Sequence, residues 1–218
     1  SYFVYKSAFS FRNQYNVGFA AVVGEYVYSA SYDEGEGYTS LNATPSSPVT
    51  STLNNLFVSP TGPDAKVKFS VVGRALNTRN VRVRLNNTIL KDLEMNYFNS
   101  VIDSSLTSVP LSLISSSTAT FQFQNLSPEP TDRMLVGMYE LTYPRLFNFG
   151  GQSNFVFEMP ASPDGNRLSI TNFNYGSVAP VLYDLTNGLR ITADISTPGE
   201  VKVVLPPSET KRKLVLIS

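Results

Sequence analysis

The chain has 218 residues, 42% of them hydrophobic, which is enough to bury a sizeable core and is not the composition of a disordered chain. Charged residues are only 16% and the formal net charge is zero, so bulk attraction to nucleic acid or to an anionic membrane is not indicated, and no apolar run reaches the ~20 residues that span a bilayer. There is no cysteine and no histidine, which excludes thiolate catalysis, iron–sulfur clusters and Cys-bound zinc within this chain, and removes the commonest general base.

The N-terminal Ser1-Tyr2-Phe3 carries no initiator Met and no signal peptide, and the chain ends on apolar Leu214-Val215-Leu216-Ile217. Both ends read as cut, which suggests a piece of a longer precursor. Asp33-Glu34-Gly35-Glu36-Gly37 is the densest acidic cluster. Carboxylates on a Gly-rich loop suit a hard cation such as Ca²⁺, with Asp33, Glu34 and Glu36 as ligands. The competing reading is a solvated loop between aromatic strands, since the alternating Asx pattern of an EF-hand is missing. Thr44-Pro45-Ser46-Ser47-Pro48 is a stiff polar connector. It would separate an N-terminal β-hairpin region (1–43), packed on the main domain, from a β-sandwich (44–218).

From there the signal is period two, apolar residues alternating with polar ones so that one strand face is buried. Val67, Phe69 and Val71 form one set, Val81, Val83 and Leu85 another, and Phe121 and Phe123 a third. Phe155, Phe157 and Met159 follow, then Leu189, Ile191 and Ala193. Asn86-Asn87, Pro163-Asp164-Gly165-Asn166, Asn187-Gly188 and Pro198-Gly199 supply turns. Leu90 to Phe98 would make a short helix among these strands. Thr107 to Thr120 is Ser-rich and reads as a long ordered loop with an edge strand. Asn148-Phe149-Gly150-Gly151 reads as a loop inside one sandwich rather than a hinge between two lobes, because the stretch after it is short for a core of its own.

Two groups of side chains are candidates for binding. Tyr139, Tyr143, Phe147 and Phe149 flank Pro144-Arg145. Alternation puts Tyr139 and Tyr143 on the core face, with Tyr143 and Phe147 near its rim. Exposed aromatics stack on sugars or dock proteins, so Tyr38, Tyr143, Arg145 and Phe147 form the candidate binding set. Asp184 and Asp194 flank the Asn187-Gly188 turn. A carboxylate pair could act on a sugar, but Asp184 two residues before Thr186 reads more simply as a turn cap. Lys211-Arg212-Lys213 is too short to imply nucleic acid.

Four segments in order carry a family resemblance. They are Asp33-Glu34-Gly35-Glu36-Gly37-Tyr38-Thr39-Ser40; the pair Val67–Ala75 and Val81–Asn86; Met138-Tyr139-Glu140-Leu141-Thr142-Tyr143-Pro144-Arg145; and Val181-Leu182-Tyr183-Asp184-Leu185-Thr186. Together they resemble the region that precedes the peptidase domain in PorU-type sortases, gingipain-related proteins of the type IX secretion system of Bacteroidetes. Tyr183 stands where the family pattern has Trp. The resemblance implies that a catalytic His and Cys belong to a peptidase domain following this region, and that no catalytic residue maps onto this chain. It implies a location in the bacterial cell envelope, in the periplasm or at the cell surface. It also implies a scaffolding role towards that peptidase domain and contacts with secreted cargo or translocon proteins.

The expectation is therefore an all-β chain, a jelly-roll-like antiparallel β-sandwich with an extra N-terminal hairpin region. It would be non-catalytic and would use no cofactor beyond a candidate Ca²⁺. The alternative is a carbohydrate-binding module or adhesin domain holding a glycan through Tyr38 or Tyr143.

Overall fold

The computed structural model describes residues 2–15, 37–114 and 117–218. The acidic cluster Asp33, Glu34 and Glu36 lies outside them. The chain divides into two compact units. One comprises Lys6–Leu56 with Pro63–Tyr143, and the other comprises Ser1–Tyr5, Phe57–Gly62 and Pro144–Ser218. This division runs along other lines than a hairpin region 1–43 beside a sandwich 44–218. The Thr44–Ser47 stretch is a tight turn inside the first unit, its two ends exchanging backbone hydrogen bonds.

The first unit is built on eight long strands. They are β1 (Phe3–Ser10), β4 (Val49–Leu53), β5 (Ala65–Gly73), β6 (Asn80–Leu85), β7 (Thr88–Glu94), β8 (Ser100–Val109), β9 (Ala119–Asn125) and β10 (Met134–Arg145). Short β2 (Gln14–Tyr15) and β3 (Tyr38–Thr39) pair with each other. The unit boundary cuts β1 after Tyr5 and β10 after Tyr143. Strands β6 and β7 pair innermost, then β5 with β8, β4 with β9, and β1 with β10. Such nesting is one long antiparallel ribbon folded over itself, the connectivity of a jelly roll. It yields two sheets, β1-β10-β5-β8 and β4-β9-β6-β7.

The alternation in the sequence supplies the filling between these sheets. Phe69 meets Phe123 edge-on at 5.8 Å between ring centroids, and Phe121 lies 4.6 Å from Tyr139. The Tyr139 phenol donates to Ser51 Oγ at 2.7 Å, so the one polar atom of this aromatic cluster is satisfied. Asn86 and Asn87 both have positive φ, 44° and 70°, and close the β6–β7 hairpin in two residues. Residues 90–94, expected as the first part of a short helix, belong to strand β7. Its partner across that tight turn imposes extended pairing on a segment too short for a helix to hold by itself. In β10 the register slips between Val136 and Met138, and a Cβ on Gly137 would sit 2.5 Å from Ser70 Oγ. That hydroxyl instead accepts from the Met138 amide at 3.1 Å, so the bulge costs no buried donor.

The loops at one end of this unit are tied by a buried ion pair. Arg79 Nε and Nη2 donate to the two oxygens of Asp132 at 2.6 and 2.8 Å, while Nη1 and Nη2 also reach the carbonyls of Met95, Tyr97 and Ala75. Asp132 further accepts from Asn77 and Asn125. Gly73 leaves the space for this, since an added Cβ would overlap Tyr97 O and Arg79 Nη1.

The second unit contains β11 (Asn148–Gln152), β12 (Asn154–Met159), β13 (Asn166–Phe173), β14 (Val181–Asp184), β15 (Leu189–Thr192), β16 (Glu200–Leu205) and β17 (Arg212–Ile217). They form the sheets β11-β13-β16 and β12-β17-β14-β15. All these pairings are antiparallel except β11 with β13. The stretch 148–151, expected as a loop, lies in strand β11. The segment after it is short for a core, but Phe3 from the N-terminus joins Phe147, Phe149, Phe155 and Phe157 to complete one. Phe149 and Phe155 stack at 4.0 Å. Segment 57–62 is laid against 144–146 by Ser59 N to Pro144 O and Leu146 N to Phe57 O, both 2.9 Å. The all-β, antiparallel sandwich class expected from periodicity is the class that forms.

Removing either partner of the Arg79–Asp132 pair leaves a buried charge uncompensated. Arg79→Ala and Asp132→Asn should each lower stability to urea by about 3 to 5 kcal/mol. Burial disfavours the ionised form of Asp132, yet the hydrogen bonds from Arg79, Asn125 and Asn77 outweigh it and hold the carboxyl below its ordinary value. The stability it contributes is complete above the unfolded value of about 3.9 and is lost as pH falls through the lower folded value. Urea midpoints measured down that range should therefore fall less steeply for Asp132→Asn than for the parent.

Candidate functional site

The candidate binding residues separate by exposure. Tyr38 is 41% exposed on β3, where its ring meets Tyr15 of β2 edge-on at 5.2 Å. Gly37 precedes it with φ at 75°, and a Cβ there would press on the Tyr15 ring at 3.0 Å, so glycine permits the close approach. Tyr143, Arg145 and Phe147 are 1%, 4% and 8% exposed. They offer almost no surface to a partner. The alternation that put Tyr143 on the core face continues past the expected rim, so that Arg145 and Phe147 are buried in turn.

Within that unit Arg145 and Phe147 do come together with other residues. The Arg145 guanidinium lies 5.0 Å from the Tyr5 ring centroid and 5.1 Å from those of Phe57 and Phe155. One Nη2 hydrogen bond reaches Asn148 O at 3.0 Å. Phe147 packs on Phe3 at 5.0 Å. Three ring faces around a buried cation organise the interior. Tyr5 and Phe57 are far from Arg145 in sequence, so no local pattern announces this cage. Tyr15, the partner of Tyr38, was equally unreadable, being separated from it by more than twenty residues.

The two aspartates near the Asn187-Gly188 turn act as caps. Asp184 is buried and accepts from the amides of Thr186 and Asn187 at 3.1 and 3.0 Å and from Asn187 Nδ2 at 2.8 Å. Arg212 Nη1 approaches it at 3.4 Å. Exposed Asp194 accepts from the Ser196 amide at 2.8 Å, and that bond holds its carboxyl below the ordinary value. Each carboxylate is committed to a turn. Among the described residues no group of three Asp or Glu side chains could hold a metal ion. No helix among them is long and apolar enough to cross a membrane.

Arg145→Ala should cost about 2 to 4 kcal/mol by thermal unfolding, because it removes a buried cation from three rings. Tyr38→Ala should cost about 1 kcal/mol or less, the value of one exposed aromatic pair. The reverse order would show that the cage is the dispensable feature.

No family model matches the sequence, and no curated protein matches it either. Solved structures do. The crystal structure of dimeric latent PorU from Porphyromonas gingivalis matches with a TM-score of 0.60 at 9% identity, over 99% of this chain and 20% of that one. A carbohydrate-binding module, CBM36 in complex with calcium and xylotriose, matches with a TM-score of 0.34 at 8% identity, over 45% of this chain and 76% of that one. The second likeness is too slight to carry weight. This chain spans about a fifth of the PorU chain, and at 9% identity the likeness is one of fold: an all-β region of that protein is built as this chain is built.

Proposed function

We propose that this chain is a non-catalytic β-region of a cell-envelope protein related to the gingipain-type sortases, where it scaffolds a peptidase domain and contacts cargo or translocon proteins. The observation that carries this reading is the fold likeness to PorU over 99% of the chain. The four ordered segments, the last two being Met138–Arg145 and Val181–Thr186, support it from the side of sequence. The buried position of Tyr143, Arg145 and Phe147 fits a scaffold, since their chemistry is directed inward. With no histidine or cysteine in the chain, the cleavage chemistry of a cysteine peptidase would come from elsewhere in the protein.

Reading the gene on both sides of this segment tests the proposal. A downstream domain carrying a His and a Cys is expected, and a reading frame without one overturns it. The purified chain should leave a peptide library uncut, and measurable cleavage would count against the non-catalytic reading.

A carbohydrate-binding role is the second reading, favoured by one feature. Tyr15 and Tyr38 form an exposed aromatic pair on which a sugar face could stack. A glycan array would give saturable binding that Tyr38→Ala weakens about tenfold or more, the size of one lost stacking contact. Uniform absence of binding removes this reading.

A further inference from the structure

In the second unit, β15 ends the sheet β12-β17-β14-β15 and β16 ends the sheet β11-β13-β16. The two edges are joined at one rung. Asp194 N donates to Lys202 O at 2.9 Å and Lys202 N to Asp194 O at 2.8 Å. Past that rung the strands part, and a cleft of about 520 Å³ opens between them. That volume is in the range of natural ligand sites. Leu168, Val203 and Ile191 line it as apolar side chains, with Arg167, Thr192 and Val204 beside them.

The direction of the backbone groups follows from the rung. Because Lys202 turns its N–H and C=O away from β13, antiparallel alternation turns those of Val204 the same way. On the facing edge, Ala193 N donates back to Pro180 O, so the Thr192 groups point outward into the gap. Among the described residues no strand pairs with either outer edge beyond the Asp194 rung. Val204 also exposes 65% of its surface. Native proteins usually blunt such edges, and here only one rung is blunted.

The lining narrows the occupant. No exposed aromatic ring stands in the cleft for a sugar to stack on. Unpaired N–H and C=O groups on both walls match a ligand that repeats both at strand spacing, which is an extended polypeptide. Charge adds a preference. Lys202 is held by Glu200 and Thr197, and Asp194 by Ser196, whereas Arg167 is exposed and bridged by no acidic side chain among the described residues.

We propose that this cleft is a strand-addition site that binds an extended segment of a partner polypeptide, pairing with the free edge at Val204 or Thr192, seating an apolar side chain on Leu168, Val203 and Ile191, and placing an acidic residue against Arg167. This goes beyond the scaffold reading and does not depend on a peptidase domain following the chain.

The test uses the full 218-residue chain and a fluorescent octapeptide, blocked at both ends, in which valine and glutamate alternate. Saturable binding by anisotropy is expected. Amide hydrogen exchange at Val204 or Thr192 should slow about tenfold on binding, as new backbone hydrogen bonds form. N-methylation of alternate peptide amides should weaken binding about tenfold, since it removes the pairing donors. Arg167→Glu lies on the surface and should spare the fold. It should weaken the valine–glutamate peptide about tenfold and strengthen a valine–lysine one. Absence of binding at millimolar peptide overturns the proposal. So does binding indifferent to N-methylation and to Arg167→Glu, or protection of amides elsewhere with none at Val204 or Thr192.

Discussion

A buried guanidinium brings five N–H donors that must all be satisfied away from water, and Arg79 satisfies every one. To do so it draws in the carboxylate of Asp132 and the carbonyls of Ala75, Met95 and Tyr97. Loops that follow β5, β7 and β9 thereby converge on one side chain. Their backbone carbonyls would otherwise need partners of their own, which loops at a sandwich end rarely find. The jelly roll supplies two sheets whose inner faces fill with Phe69, Phe121, Phe123 and Tyr139, but sheets do not dictate how their connecting loops close. In this unit the ion pair does that, and Gly73 exists to let it.

The second unit buries two arginines and treats each differently. Arg212 meets the Asp184 carboxylate and the Pro206 carbonyl, with Nε making no hydrogen bond among the described residues. Asp184 is at the same time the cap of the 185–188 turn, so one carboxylate holds a hairpin loop and anchors β17. Arg145 lies among three ring faces at about 5 Å and donates to the Asn148 carbonyl. In a chain with only 16% charged residues, the placing of arginines inside carries much of the architecture.

These inward commitments shape the functional reading. Side chains that looked available for binding, Tyr143, Arg145 and Phe147, are spent on the interior. Among the surfaces that do face solvent are the Tyr15–Tyr38 pair in one unit and the parted edges of β15 and β16 in the other. Both suit recognition, one through ring faces and the other through backbone pairing. A fold likeness at low identity is compatible with either, because fold is set by burial pattern and nesting of strands, whereas partner choice rests on a few surface groups.

Much of the fold was legible in the chain itself. Period-two alternation over 67–71, 81–85, 121–123 and 155–159 determines which faces are buried, because a strand side chain has only two directions to point. Asn86-Asn87 determines a two-residue hairpin, because both residues tolerate positive φ. Other features were decided by tertiary structure alone. Phe3 joins the core of residues 147–216 from the far end of the chain, and segment 57–62 hydrogen-bonds to residues 144–146, associations that local composition does not mark. Residues 90–94 became strand because β6 lay alongside. The Arg145 cage, the Tyr15–Tyr38 pair and the cleft at Arg167 and Val204 all join residues distant along the chain. Local patterning records whether a residue will be buried, but which distant residue it meets depends on how the sheets close, and a single sequence carries no local trace of that.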